Sequence, residues 1–238
     1  MDFSLRSRVA EKMDDPNMAF EMLQEAYEDI NKCNKLLGGD KITIQEVWKL
    51  IKRTKQKSYT ILDMGSGDGT MLRKLSNFLT ERKIEHQMTG IDLREDVLEI
   101  ARKQSEEYLN ITYKKMDILK ADSGFECDII INTLTMHHFE EERLETFLNQ
   151  FVSLAKVGVV INDLQRSKWA YYLFKVFSFF FIRTEVAKYD GLVSISKGFT
   201  KNELIHLSNK IPSVIHTIRW RWAFRYVWVM QIKQENNI

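Results

Sequence analysis

Cysteine is nearly missing from this chain of 238 residues: there are two, Cys33 and Cys127, far apart and each in an apolar segment. That excludes a disulfide framework and leaves no cysteine set for a zinc site. A surplus of one charge is missing too. The 35 basic and 33 acidic residues leave +2, which predicts no nucleic-acid partner, because such proteins present a strongly basic face. No apolar run reaches the roughly 20 residues that cross a bilayer. The longest, "WAYYLFKVFSFFFI" from Trp169 to Ile182, is broken by Lys175. The first residues, "MDFSLRSRVAEKMDD", hold no apolar core of a signal peptide, so a cytoplasmic location is expected. Internal repeats and low-complexity segments are also lacking. What is present, 44% hydrophobic and 29% charged residues, is enough to bury the core of one globular domain.

Along the chain, Asp15 followed by Pro16 has the form of a helix N-cap with proline in the first turn. Leu23, Tyr27, Ile30 and Leu37 then recur at helical spacing until Gly38 and Gly39. Ile44, Val47, Trp48 and Ile51 mark a second short helix, so residues 1–57 read as a helical N-terminal extension. From Tyr59 to Asp163 short apolar runs alternate with amphipathic stretches: "YTILD", "HQMTGIDL", "ITYKKMDI", "CDIIINTL" and "GVVIND" as strands, with helices between them. That alternation predicts an α/β fold with a doubly wound, mostly parallel sheet, residues 58–163 being its core. Residues 164–238 hold the aromatic helix, a capping-box spacing at Thr200 and Glu203, and "SVIHTIRWRWAFRYVWVMQIK", which reads as an antiparallel strand pair.

Three of the ten glycines fall within five positions of "ILDMGSGDGT", directly behind the first strand. Glycines there let the backbone turn sharply and approach a ligand, and in open α/β sheets ligands sit outside the carboxyl ends of the strands. The next strand ends in Asp92, placed to accept hydrogen bonds from ribose hydroxyls. The spacing is D-x-G-x-G-x-G rather than the G-x-G-x-x-G of dinucleotide sites, and no G-x-x-x-x-G-K-[ST] occurs. Asp63 and Asp68 would repel a pyrophosphate and attract a cationic amino acid. The ligand that fits is a nucleoside without phosphate that carries positive charge.

These motifs, with "GIDL" and "MDIL" behind them, resemble the class I S-adenosylmethionine-dependent methyltransferases from Tyr59 to Val160. The resemblance implies that Asp63 and the backbone of Gly65 and Gly67 flank the methionine part of S-adenosylmethionine. It implies Asp92 on the ribose and Leu93 against the adenine, Asp117 at the adenine amino group with Ile118 beside it, and Asn132 near the sulfonium. A leader like "KMDDP", "HHF" after the fourth strand and "IND" before an aromatic helix are similar to small bacterial methyltransferases acting on polyketide-type phenols or other lipophilic acceptors. In those proteins an arginine or histidine often follows "NDL", whereas here Gln165 precedes Arg166.

His137 and His138 follow the fourth strand, where an acceptor would approach. Either could take the proton of a phenol or enol; alternatively one caps the acidic helix behind it and the other packs. The aromatic stretch, apolar around its whole circumference, is expected to be a buried core helix or a lid whose Trp169 and Tyr172, with Phe199, wall a hydrophobic acceptor. Contact with a membrane surface is a further option for it. Arg219, Arg221 and Arg225 are expected on the solvated face of a strand, or else around an acidic group. The expected activity is methyl transfer to a small lipophilic acceptor at oxygen. Methylation of a quinone-like ring at carbon and a non-catalytic cofactor-binding subunit are the alternatives.

Overall fold

The computed structural model describes residues 2–233. Seven strands, β1 (Ser58–Met64), β2 (Glu85–Asp92), β3 (Ile111–Lys115), β4 (Cys127–Thr133), β5 (Ala155–Leu164), β6 (Val214–Arg221) and β7 (Arg225–Ile232), form one sheet. Their order is β3-β2-β1-β4-β5-β7-β6, with β7 antiparallel to both neighbours and all other pairings parallel. The chain therefore reverses direction across the sheet between β1 and β4, which opens a crevice at their carboxyl ends.

Register decides which side chains fill each face. Ile61 lies opposite Ile129 and packs with Leu72, Leu75 and Leu79 of helix α3 (Thr70–Thr80); Leu62, one residue on, lies opposite Ile130 and faces Phe147 and Phe151 of helix α5 (Glu141–Leu154). Both faces are covered, which is why β4 is apolar without alternation. Helix α4 (Glu95–Gln104) packs beside β3, and helix α2 (Gly39–Thr54) beside β5.

Helix α1 (Phe20–Leu37) begins later than the Asp15–Pro16 signal predicts. Asp15 instead closes a local turn, accepting the Asn17 N–H at 2.9 Å, while its carbonyl accepts from Arg94 at 2.9 Å. The glycine stop holds: Gly38, at φ +74°, caps α1 and starts α2. Ahead of α1 the first residues form a strap. Arg6 donates to the carbonyls of His137 and Phe139, and the Asp190 carboxylate accepts the N–H groups of Lys12 and Met13.

Beyond β5 lie helices α6 (Lys168–Phe181), α7 (Glu185–Lys197) and α8 (Lys201–Asn209). The Thr200–Glu203 capping box is present on α8. The sequence pattern misses α7, because its buried face carries Asp190 and Lys197 among Val186 and Val193, so no apolar stripe shows. Helix α6 is also unlike its sequence expectation. Only Ala170 and Ser178 are fully buried on it, and most of its aromatic side chains point outward. Among the described residues, no helix is long and apolar enough to cross a membrane.

Candidate active site

Gly65, Gly67 and Gly69 lie at φ +88°, +52° and +75°, a left-handed series that side chains follow only with strain. The room is closed as well. A Cβ on Gly65 would sit 2.5 Å from the Thr135 side chain, and one on Gly67 would sit 3.0 Å from the Tyr27 ring. The N–H groups of Gly65 and Ser66 both donate to the Ile91 carbonyl, folding the loop back over the end of β2. Asp92 completes the fold-back, accepting the Gly67 N–H at 3.0 Å and the Arg94 N–H at 3.1 Å.

Two acids of this loop differ in what they have left to offer. Asp68 is spent locally, accepting from Asn31 at 2.6 Å and from the Thr70 hydroxyl at 2.9 Å, which ties α1 to the loop. Asp63 is buried and its Oδ1 has no partner. Burial, and then the nearby Asp92 charge, push its pKa well above the usual carboxylate range. A buried carboxyl without a partner beside a glycine cradle fits a ligand that brings a donor or a positive charge. The amino acid part of S-adenosylmethionine meets that requirement, so the residues present fit the cofactor.

Asp63, the loop and Asp92 line the inner end of a cavity of about 810 Å³. Leu93 and Ile118 line it too. Asp117 and Asn132, the other two residues implied for the cofactor, do not. Asp117 caps a short 3-10 turn by accepting the Leu119 N–H at 3.0 Å. Asn132 is fully buried and turns its amide toward the Met64 carbonyl, stitching β4 to β1. Thr133, Leu134 and Thr135 reach the cavity in its place.

The outer part of the cavity is apolar. Ala170, Leu173, Phe174 and Phe177 of α6 line it, at the i, i+3, i+4, i+7 spacing of one helix face. Ile30 and Leu37 of α1 and Trp222 and Phe224 of the β6–β7 turn stand around them. The three residues expected from the sequence as walls are elsewhere. Trp169 and Tyr172 lie off the cavity-lining face of α6 and are exposed, while Phe199 is buried in the main core, with the Arg6 guanidinium 4.4 Å from its ring centre. The arginines also part company. Arg219 and Arg221 pair with Glu46, but Arg225 is buried beside the cavity, where it donates to Asn34 at 2.6 Å.

Both histidines border the cavity, in different settings. His137 is buried with Nδ1 2.7 Å from Asp163 and Nε2 3.6 Å from Glu11. Burial alone would lower its pKa, but the Asp163 and Glu11 carboxylates outweigh that and raise it to about 9. Glu11 is the complement. Burial would raise its pKa, while the nearby charges of His137, His138 and Lys197 bring it down to about 2. His137 is thus an imidazolium clamped between two carboxylates, unable to receive a further proton. His138 is half-buried, 3.7 Å from Glu11 and 3.6 Å from Asp14. Glu11, His137 and His138 offer ligand atoms within 4.8 Å of one another, close enough for a metal. The Lys197 ammonium, 3.3 Å from Glu11, already supplies the cation there, so the cluster is an ion-pair network.

Glu11, Tyr27 and Asp163 escaped the sequence analysis as site residues. None sits in a motif at a strand end that marks a ligand contact, except Asp163 in "IND", which has a pattern but there no assignable partner.

Residues 61–158 match a family described as a methyltransferase domain. No curated protein matches the chain at a significant level. Solved structures do resemble it. One is the plantazolicin methyltransferase BpumL in complex with a pentazolic desmethylPZN analog and SAH, with 15% identity, TM-score 0.68, and 89% of this chain and 91% of that one covered. Another is magnesium protoporphyrin IX methyltransferase from Synechocystis PCC 6803 with bound SAH, with 13% identity, TM-score 0.59, and coverage of 90% and 94%. A third is the methyltransferase domain of bacterial CtHen1-C, with 18% identity, TM-score 0.59, and coverage of 83% and 100%. These likenesses establish the Rossmann-like methyltransferase fold. The family match lies on the segment that carries the glycine cradle, so residues 61–158 are similar to a methyltransferase domain, consistent with S-adenosylmethionine as cofactor.

Proposed function

We propose that the enzyme methylates a small, lipophilic, hydroxyl-bearing acceptor at oxygen, a phenol or an enol. The observation that carries this reading is the continuity of one cavity, from the unpartnered Asp63 and the glycine cradle at one end to the apolar wall of Phe174 and Phe177 at the other. The cofactor supplies an electrophilic methyl on a sulfonium. Asp63 and the loop backbone would hold its amino acid part, and Asp92 has lone pairs left that could accept from the ribose hydroxyls. Leu93 and Ile118 would flank the base. The polarity of the cavity favours a largely apolar acceptor, since a charged one would lose its hydration against these walls.

In-line displacement requires mainly that oxygen and methyl be held close and aligned. The acceptor must also lose a proton, and in this reading His138, which lines the cavity, takes it. The Glu11 and Asp14 carboxylates lie 3.7 and 3.6 Å from its ring nitrogens. His137, already protonated between Asp163 and Glu11, positions its neighbour and anchors the strap. With the cofactor bound, its methyl would pass to the acceptor oxygen as the S–CH3 bond breaks, and His138 would take the acceptor's proton.

The test is incubation with S-adenosylmethionine and a panel of lipophilic phenols and enols, with products identified by mass spectrometry. O-methyl ethers formed by the wild type, with His138→Gln slowed by the ~100-fold expected for a general base, support the reading. Products methylated on ring carbon, or turnover only with hydrophilic acceptors, contradict it.

A further inference from the structure

Helix α6 has two apolar faces and only one of them lines the cavity. The other is open: Phe179 is 74% exposed, Phe180 71% and Trp169 66%, with Tyr172 and Val176 in the same stripe. An apolar stripe of this extent on one helix marks a contact surface. Its charge pattern indicates what the contact is. Residues 168–183 contain Lys168, Lys175 and Arg183, all exposed, and no acid. Lys168 and Lys175 are seven residues apart, hence on the same flank of the stripe. Lys32 adds a fourth cation at the end of the helix, its ammonium 2.8 Å from the Phe181 carbonyl.

We propose that this face of α6 lies in the interfacial zone of a bilayer containing anionic phospholipid. Fourteen helical residues span ~21 Å, too short to cross the bilayer and suited to lying in its plane. Aromatic side chains enter the boundary between headgroups and acyl chains while lysines and arginine reach the phosphates. A second copy of the chain suits the face poorly. A two-fold contact would set these cations against their own copies with no acid on the helix to neutralise them. The opposite face of the same helix, with Phe174 and Phe177, walls the cavity, so a docked enzyme holds its apolar chamber one helix from the lipid. Docking does not depend on which acceptor is used.

The experiment is sedimentation of the full-length protein with phosphatidylcholine vesicles, with and without phosphatidylglycerol. The wild type is expected to pellet with the phosphatidylglycerol vesicles and to be released in large part by high salt. The double variant Phe179→Ser/Phe180→Ser should bind at least tenfold more weakly, given the apolar area removed. Lys168→Gln/Lys175→Gln should lose about fivefold per cation. Both variants change exposed side chains only, and an unchanged thermal midpoint shows that each is folded. The proposal is overturned if the wild type stays in the supernatant with both vesicle types, or if the variants pellet as well as the wild type does. It is equally overturned if the chain forms a lipid-free dimer that the double variant dissolves.

Discussion

The two ends of the cavity are built in different ways. The inner end is made by consecutive strand ends, with Asp63, the glycines and Asp92 all within about thirty residues of sequence (Asp63 to Asp92) and held by backbone hydrogen bonds. The outer end is gathered from three distant segments: the strap and α1, then α6 and α7, then the β6–β7 turn. Its ties are buried ion pairs and side-chain contacts. A site made of backbone geometry tolerates almost no change but is independent of the rest. A site gathered from distant segments can vary, and it depends on the ion pairs that hold it.

The sharpest way to break this contrast is at the loop itself. Gly65→Val adds a β-branched side chain at φ +88°, against Thr135. The loop must then give up its conformation, strained by ~1–3 kcal/mol with a side chain there, and with it the cradle that meets the ligand. Calorimetry should show S-adenosylmethionine affinity lost. Wild-type affinity in this variant would mean that the ligand binds elsewhere.

At the outer end, Glu11→Gln leaves His137 and Lys197 short of a counter-charge, and about 3 kcal/mol of stability should go with it. Thermal unfolding should show the loss, and S-adenosylmethionine affinity should stay within roughly threefold, set by the intact Asp92 and glycine contacts. The pH dependence of that loss follows from the two shifts. Glu11, depressed to about 2, contributes above its unfolded pKa near 4.5 and loses its contribution as pH falls toward 2. His137, raised to about 9, contributes fully below its unfolded value near 6.5 and loses its contribution as pH rises through 9. The gap between wild type and variant should be widest between pH 4.5 and 6.5 and narrow on both sides. A gap independent of pH would show that the two groups do not interact.

A smaller effect separates the faces of α6. Phe174→Ala should raise the acceptor KM by roughly tenfold or more, as loss of a buried aromatic contact does, while Trp169→Ala leaves the KM of a freely soluble acceptor unchanged. The smallest effect is expected at Asp117→Ala, which removes a cap worth about 1 kcal/mol and should leave cofactor affinity nearly untouched.

How much of this was legible in the sequence follows the same division. The alternation of strands and helices, the glycine loop and Asp92 could be read because period, turn chemistry and strand ends are local properties. Asp117 and Asn132 look alike in the sequence whether they reach the cavity or serve a turn and a strand pairing, and here they do the latter. On α6 the failure was one of direction: with apolar residues on every side, the pattern could not say that Phe174 turns inward and Trp169 outward. The charge clamp on His137 was out of reach altogether, because Glu11 and Asp163 come to it across more than twenty residues of chain on either side.

The central claim is that the crevice closed by Asp92 holds the cofactor, and calorimetric titration with S-adenosylmethionine and S-adenosylhomocysteine tests it most directly. The wild type should bind both at a single site, with NADH giving no heat. Asp92→Ala should bind at least tenfold more weakly, since it removes a charged acceptor from the ribose and from Gly67. Equal affinity in the variant, or binding of NADH in preference to either adenosyl ligand, would contradict the account.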